Sequence, residues 1–309
     1  MVTVSELKNK KIAVLMGGLS AERDVSLKTG NAVLKALLEN GCDAEGVDVG
    51  TDLPGQLRAA DAELAFICLH GRYGEDGTVQ GLLEMMQIPY TGSGVMASSM
   101  AMDKVITKQL LLYNEISTPG FAVYRAGDDR GEIMDRCRHF PLVVKPAREG
   151  STIGISIVHD RAELEAGLTE ALRHDDLVLI EDFIRGDEVT VSVLNGEPLP
   201  IIKIVPKSGF YDYSSKYTPG QTEYLLPAPL EAVLYNRLQE TSVTACHVLN
   251  CRGAARVDFM VREREFFCLE VNTIPGMTET SLLPKAAAEA GVTFSQLVMQ
   301  ILEDASLNK

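Results

Sequence analysis

A continuous apolar run, Ile12 to Met16, ends directly on Gly17-Gly18, and a helical repeat begins a few positions later. A strand that is apolar at every position, not at alternate ones, is buried on both faces. Val25, Ala32, Val33, Ala36 and Leu37 then recur at helical spacing, with Ser20 placed to cap the helix and Asn40-Gly41 placed to close it. Leu64 to Leu69 repeats the strand pattern, Val79 to Met86 repeats the helical one, and Pro89 and Gly92-Ser93-Gly94 end the segment. Strands alternating with helices build a parallel sheet with helices on its faces. The N-terminal third is therefore expected to be α/β.

Beyond Asp103 the rhythm changes. Thr107 to Asn114 reads as a helix. Leu142 to Lys145 reads as a strand running into the polar, glycine-bearing loop Pro146 to Gly154. Asp160 and Glu163 form a capping-box pattern for a helix to Arg173, and Leu177 to Glu181 is a further strand. Val189, Val191 and Val193 alternate, Asn195-Gly196 is a hairpin turn, and Leu199 to Val205 returns. Residues 206 to 228, rich in Gly, Tyr, Ser and Pro, read as a long functional or disordered loop. A helix is expected from Glu231 to Leu249, then strands Ala254 to Val261 and Phe266 to Val271 joined by the charged tip Arg262 to Glu265, and finally helices from Pro284. At ~150 residues per domain the length suggests roughly two domains.

Composition narrows the class of partner. The chain has 29 Lys+Arg against 43 Asp+Glu, a formal charge of −14. That balance argues against general binding to nucleic acid or anionic membranes but allows a local anion pocket. The six cysteines include no CxxC pair, as expected for free thiols in a reducing cytoplasm. The histidines form no HxxxH or HExxH group, and no apolar run approaches the ~18 residues of a membrane span. A soluble, cytoplasmic protein is the expectation.

The strongest chemical signal lies on the last hairpin. Arg256 and Asp258 share one strand face, and Glu270 and Asn272 share one face of its partner. Asp258 and Glu270 are equidistant from Arg264, so a turn centred there sets the two carboxylates opposite each other. Opposed acids repel. Two readings are open: a solvated face neutralised by Arg256, or an oxygen-only site for a hard cation such as Mg²⁺. The apolar flanks Val257, Phe259, Leu269 and Val271 and the following Pro-Gly loop favour the cation.

The loop Arg148 to Ile155, with Lys145 before it, is a candidate phosphate cradle, although a plain surface loop is the commoner explanation and no Walker A pattern is present. Glu22 at a helix start is either a dipole-stabilising acid or the partner of a substrate ammonium. His70 to Gly77 follows a buried strand, where open α/β sheets bind ligands, yet a lone His there is often structural. Together these features describe an ATP-dependent enzyme.

These stretches also resemble a family. Met16 to Ser26, His70 to Gly77, Tyr90 to Gly94, Met102-Asp103-Lys104, Lys145 to Gly154, Tyr211 to Tyr213 with Lys216-Tyr217, Arg256 to Asp258 and Glu270 to Thr278 are similar, in order, to D-alanine:D-alanine ligases of the ATP-grasp superfamily. The resemblance implies a Rossmann-like parallel-sheet domain at 1–102, a central α+β ATP-grasp subdomain at 103–187 and a C-terminal one at 188–309. It implies ligation of two D-alanines with ATP through an acyl phosphate, for peptidoglycan precursors, and a homodimer.

The residue roles that follow are those the resemblance implies. Asp258, Glu270 and Asn272 would hold two Mg²⁺ ions, for which Mn²⁺ can substitute. Lys104 and Lys145 would neutralise ATP phosphates, Lys216 would reach the transferring group once its loop closes, and Glu181 would read the adenine amino group and Glu188 the ribose. Glu22 would bind the first D-alanine's ammonium, with His70 near its carboxylate. Arg256 and the Gly276 amide would form an oxyanion hole, and Ser281 and the Leu282 amide would hold the second D-alanine's carboxylate. Glu22, Ser151 and Tyr217 would form a hydrogen-bonded triad that joins two loops. Relatives that make D-alanyl-D-lactate carry another residue, such as Phe or His, at the place of Tyr217, so Tyr217 favours D-alanine as second substrate. Asp182, where some relatives have Lys, and Glu279-Thr280, in place of a Ser-His pair, are mild departures. The competing readings are a ligase using D-lactate or D-serine and a non-catalytic nucleotide sensor.

Overall fold

A computed structural model describes residues 7–150, 153–207, 220–278 and 280–309. Ser151, Lys216, Tyr217, the Tyr211 to Tyr213 stretch and Glu279 lie outside the described residues. The described chain is organised around three sheets.

The first sheet is parallel, with strand order β2-β1-β3. Its strands are β1 (Lys11–Gly17), β2 (Asp43–Val49) and β3 (Leu64–Ile67), linked by helices α1 (Arg23–Glu39) and α2 (Leu53–Ala59). All five residues of the Ile12 to Met16 run are buried, as a strand covered on both faces requires. β2 carries no apolar run because it is an edge strand and buries only Val47 and Val49. Helices α3 (Thr78–Met86) and α4 (Val95–Met102) complete the unit. Ser20 is not the cap of α1. Glu22 holds the N-cap position, while Ser20 Oγ accepts from the Glu22 amide at 3.2 Å and donates to the His70 carbonyl at 2.7 Å. Ser20 thus ties two loops together instead of ending one helix.

The second sheet is antiparallel, in the order β4-β7-β5-β6. Helix α5 (Lys104–Tyr113) leads to β4 (Phe121–Arg125), α6 (Arg130–Arg136), β5 (Leu142–Pro146), β6 (Ser156–Val158), α7 (Arg161–Ala171) and β7 (Leu177–Asp182). Asp103 caps α5, its carboxylate accepting from Val105 and Ile106. Half of the capping box at α7 forms. Asp160 accepts from the Glu163 amide at 2.8 Å, but Glu163 reaches back to the amide of His159 at 2.7 Å, not to that of Asp160.

The third sheet runs β11-β10-β8-β12-β13, with β9 on β8. Its strands are β8 (Asp187–Leu194), β9 (Glu197–Pro198), β10 (Ile202–Pro206), β11 (Thr222–Leu225), β12 (Ala254–Arg262) and β13 (Glu265–Asn272). Asn195 and Gly196 take φ of 52° and 86°, the left-handed pair a two-residue hairpin needs. β11 lies inside the stretch expected to be loop, paired with β10. Helix α8 (Ala232–Val248) precedes the last hairpin, and α9 (Leu282–Glu289) and α10 (Phe294–Glu303) follow it.

The two ends of the chain share one core. Ile12, Val14, Val33 and Phe66 pack in the same cluster as Leu283, Leu297 and Leu302. Asn40 at the end of α1 also donates to Ser295 Oγ at 2.6 Å. All six cysteines are free, and five of them are buried. Among the described residues no helix is long and apolar enough to cross a membrane.

Candidate active site

The last hairpin sets the chemistry. Asp258 pairs with Glu270, and Arg256 with Asn272. The tip pairs Arg262 with Glu265, so the turn is one residue shorter than a centre at Arg264 would give. A β-bulge between Asp258 and Phe259 absorbs the difference, leaving Leu269 as the extra residue. The opposed carboxylates therefore stand where the sequence placed them.

Each acid lies against a cation. Arg256 grips Asp258 with two bonds, of 2.9 and 2.8 Å, and Thr190 Oγ1 donates to Asp258 at 2.6 Å. Lys104 Nζ lies 3.4 Å from Glu270 and donates to the Glu149 carbonyl at 2.7 Å. Asn272 Oδ1 accepts from the Ile274 amide at 2.9 Å, which orients the side chain. Among the described residues no group of three or more His, Cys, Asp or Glu could hold a metal ion. Two carboxylates and an amide still form an oxygen-only donor set, which fits a hard cation that also takes phosphate oxygens as ligands. Arg256 and a cation at Asp258 both fit because a carboxylate offers about four lone-pair directions.

A small cavity of about 130 Å³ opens beside this hairpin. It is lined by Glu22, His70, Lys104, Arg256, Glu270, Asn272, Gly276, Ser281 and Leu282. Its walls are loop ends brought close by glycines. A Cβ on Gly71 would stand 2.8 Å from Glu22 Oε2, and one on Gly150 would stand 2.9 Å from it. A Cβ on Gly276 would stand 2.9 Å from Ser281 Oγ. Ser281 holds the N-cap position of α9, so its side chain and the first amides of that helix face one corner. Ser281 Oγ also accepts from the Thr278 amide at 3.0 Å. His70 is buried, with Nε2 3.4 Å from Thr29 Oγ1 and Nδ1 3.9 Å from Glu75. Burial opposes charging of the ring, but Glu75 and Glu22 outweigh it and hold the imidazole above its ordinary pKa.

A larger cavity of about 710 Å³ lies between the second and third sheets. Val143, Ile155, Phe183, Met260 and Leu269 give it apolar walls, and Lys104, Lys145, Glu181, Glu188, Asp258 and Glu270 give it charge. A flat apolar slot with a few polar groups suits a nucleotide base. The bulge residue Leu269 is among those lining this slot, and bulges are common near active sites. Glu181 is 3% exposed and lies 2.6 Å from both Lys145 and Lys108. Burial raises its carboxyl, but the two ammonium groups outweigh that and hold it below the ordinary value. Glu181 Oε1, close to Lys108 but out of line with it, has no hydrogen bond in the protein.

Every described residue singled out in the sequence lines one of these two cavities, and Lys104 and Glu270 line both. Glu149 also lines both and Lys108 backs the larger one, yet neither stood out in the sequence. Glu149 sits beside the glycine of its loop, which is a signal. Lys108 follows Lys104 by one helical turn, and that spacing alone does not distinguish a buried lysine from a solvated one.

Known proteins match along most of the chain. Residues 114–303 match the family model for the D-ala D-ala ligase C-terminus and residues 44–93 match that for the N-terminus. A D-alanine–D-alanine ligase of Syntrophotalea carbinolica is 66% identical over 98% of this chain and 99% of its own. One of Citrifermentans bemidjiense is 52% identical, over 99% of each. Among solved structures, the D-alanine–D-alanine ligase of Bacillus anthracis complexed with ATP superposes with a TM-score of 0.83 at 39% identity, covering 96% of this chain and 97% of that one. With likeness of this extent in both sequence and architecture, the chain belongs to the D-alanine–D-alanine ligase family and has its ATP-grasp fold.

Proposed function

We propose that the chain joins two D-alanine molecules to D-alanyl-D-alanine at the expense of ATP, for peptidoglycan precursors. One observation carries this reading: an amino-acid-sized cavity and a nucleotide-sized one adjoin at Lys104 and Glu270. ATP would lie in the larger cavity with adenine against Glu181, ribose at Glu188 and phosphates toward Lys104 and Lys145. Glu22 would pair with the first D-alanine's ammonium, with His70 beside its carboxylate. That carboxylate attacks the γ-phosphoryl group, forming an acyl phosphate and releasing ADP. The amine of the second D-alanine, held by Ser281 and the Leu282 amide, then attacks the acyl carbon. It loses a proton, and phosphate leaves. Arg256 and the Gly276 amide would receive the negative charge that develops on the carbonyl oxygen.

Asp258, Glu270 and Asn272 would hold two Mg²⁺ ions, or Mn²⁺ in their place. When bound, these ions neutralise phosphate oxygens. Lys216, Ser151 and Tyr217, which lie outside the described residues, complete the proposal: Lys216 would reach the transferring group, and Ser151 and Tyr217 would form the triad with Glu22 that keeps water from the acyl phosphate. Residues 1–102, 103–187 and 188–309 are read as three units organised around the three sheets. The chain is further read as cytoplasmic, where free thiols persist, and as a homodimer, which the family resemblance implies.

Release of ADP with D-alanine, D-serine or D-lactate offered as second substrate tests the assignment. The expected result is dipeptide formation with D-alanine. A strong preference for D-lactate, or tight nucleotide binding with no turnover on any of the three, overturns it.

A further inference from the structure

Lys108 is a fully buried lysine that the reaction outlined above does not use. It sits on α5 one turn after Lys104, on the same face. Lys104 lines both cavities, whereas Lys108 lies behind the larger one, in ion contact with Glu181 Oε1 at 2.6 Å. Its Nζ donates to Thr118 Oγ1 and to the Pro119 carbonyl at 3.4 Å, and it stands over the Phe121 ring at 5.3 Å. Thr118 Oγ1 passes the link on by donating to the Cys268 carbonyl at 2.7 Å. One ammonium thus connects β7 and β4 of the second sheet with β13 of the third, the two sheets that enclose the nucleotide cavity.

Burying an ammonium is costly, and an apolar side chain of similar volume would fill the space without that cost. The charge has a specific target, since Glu181 is the buried acid lining the nucleotide cavity that lies against Lys108. Lys145 also pairs with Glu181, but it lines the cavity itself and is already assigned to the phosphates under the proposed function. Lys108 has no such second partner in the cavity. We propose that Lys108 is a positioning residue for nucleotide selection: by holding the buried Oε1 edge of Glu181 from behind, it fixes the orientation in which the carboxylate accepts a hydrogen bond from the 6-amino group of a purine. This rests on the reading of Glu181 as the adenine contact.

The test compares ATP with purine riboside triphosphate, which lacks the amino group, in the intact enzyme. The wild type should prefer ATP in KM by about 10- to 100-fold, the worth of a hydrogen bond to a charged acceptor. Lys108→Met keeps Glu181 paired with Lys145, and it should cut the preference to within about threefold while kcat at saturating nucleotide changes by less than about threefold. Thr118→Val leaves the ammonium in place and removes its tether, so it should lower the preference in the same direction. Glu181→Leu, which has no acceptor, separates the two readings. If it keeps the full preference, the adenine contact itself is misassigned. If Glu181→Leu loses the preference while folded Lys108→Met keeps it, only the role of Lys108 is overturned. Should Lys108→Met fail to fold, an unchanged preference in Thr118→Val overturns the proposal.

Discussion

The two cavities are built on opposite plans. The small one is a meeting of loop ends and helix N-termini from both halves of the chain, where Gly71, Gly150 and Gly276 let carboxylate and hydroxyl groups approach backbone. The large one is a gap between two sheets whose walls are apolar side chains on strands and on the segments beside them. A small zwitterion offers little surface to bury, so its recognition depends on close polar contacts. A purine offers a broad face, so its recognition depends on area, with a few acids adding direction. Lys104, Glu149, Gly150 and Glu270 line both cavities, and the proposed reaction puts the transferred phosphoryl group beside them.

That division can be broken by mutation. Glu270→Gln strikes the shared wall and should give the largest effect, a loss in kcat on the order of 10³ with the thermal midpoint little changed. Near-wild-type turnover would mean that the opposed carboxylates are a structural pair and not a cation site. Ser281→Ala strikes the small cavity alone. It should raise KM for the second D-alanine by about tenfold and leave KM for ATP unchanged. A parallel rise in both constants would show that the cavities are not energetically separate.

His70→Gln should give the smallest effect, on stability. The folded imidazole titrates above its ordinary value, so its contribution is complete below the unfolded pKa, about 6.5, and fades as pH rises through the folded one. The gap in melting temperature between wild type and variant should therefore be larger at pH 6 than at pH 9. Equal gaps would remove Glu75 and Glu22 as partners of a charged ring.

Sequence showed the chemistry of the hairpin more clearly than its geometry. Alternation along β12 and β13 put Asp258 and Glu270 on facing positions, and periodicity is a local property. The bulge at Leu269 was not legible, because whether one residue slips out of a ladder depends on packing across the sheet. The parallel sheet could be read from its two well-buried strands, Ile12 to Met16 and Leu64 to Ile67, but not from Asp43–Val49, whose exposed face has no apolar pattern. Ser20 looked like a cap because caps and loop ties use the same hydroxyl chemistry. Lys108 was invisible for a deeper reason. A lysine is buried only when its partner is supplied by tertiary structure, and Glu181 is seventy-odd positions away.

The core shared by the two ends of the chain has a consequence for synthesis. The first strand emerges from the ribosome long before its partners Leu283, Leu297 and Leu302 have been translated. α1 covers the sheet early, but at roughly 5–20 residues per second the face of α1 on which α10 packs must wait on the order of tens of seconds uncovered. During that interval the chain is a natural client for a chaperone, and truncation before α10 would leave the same face permanently open.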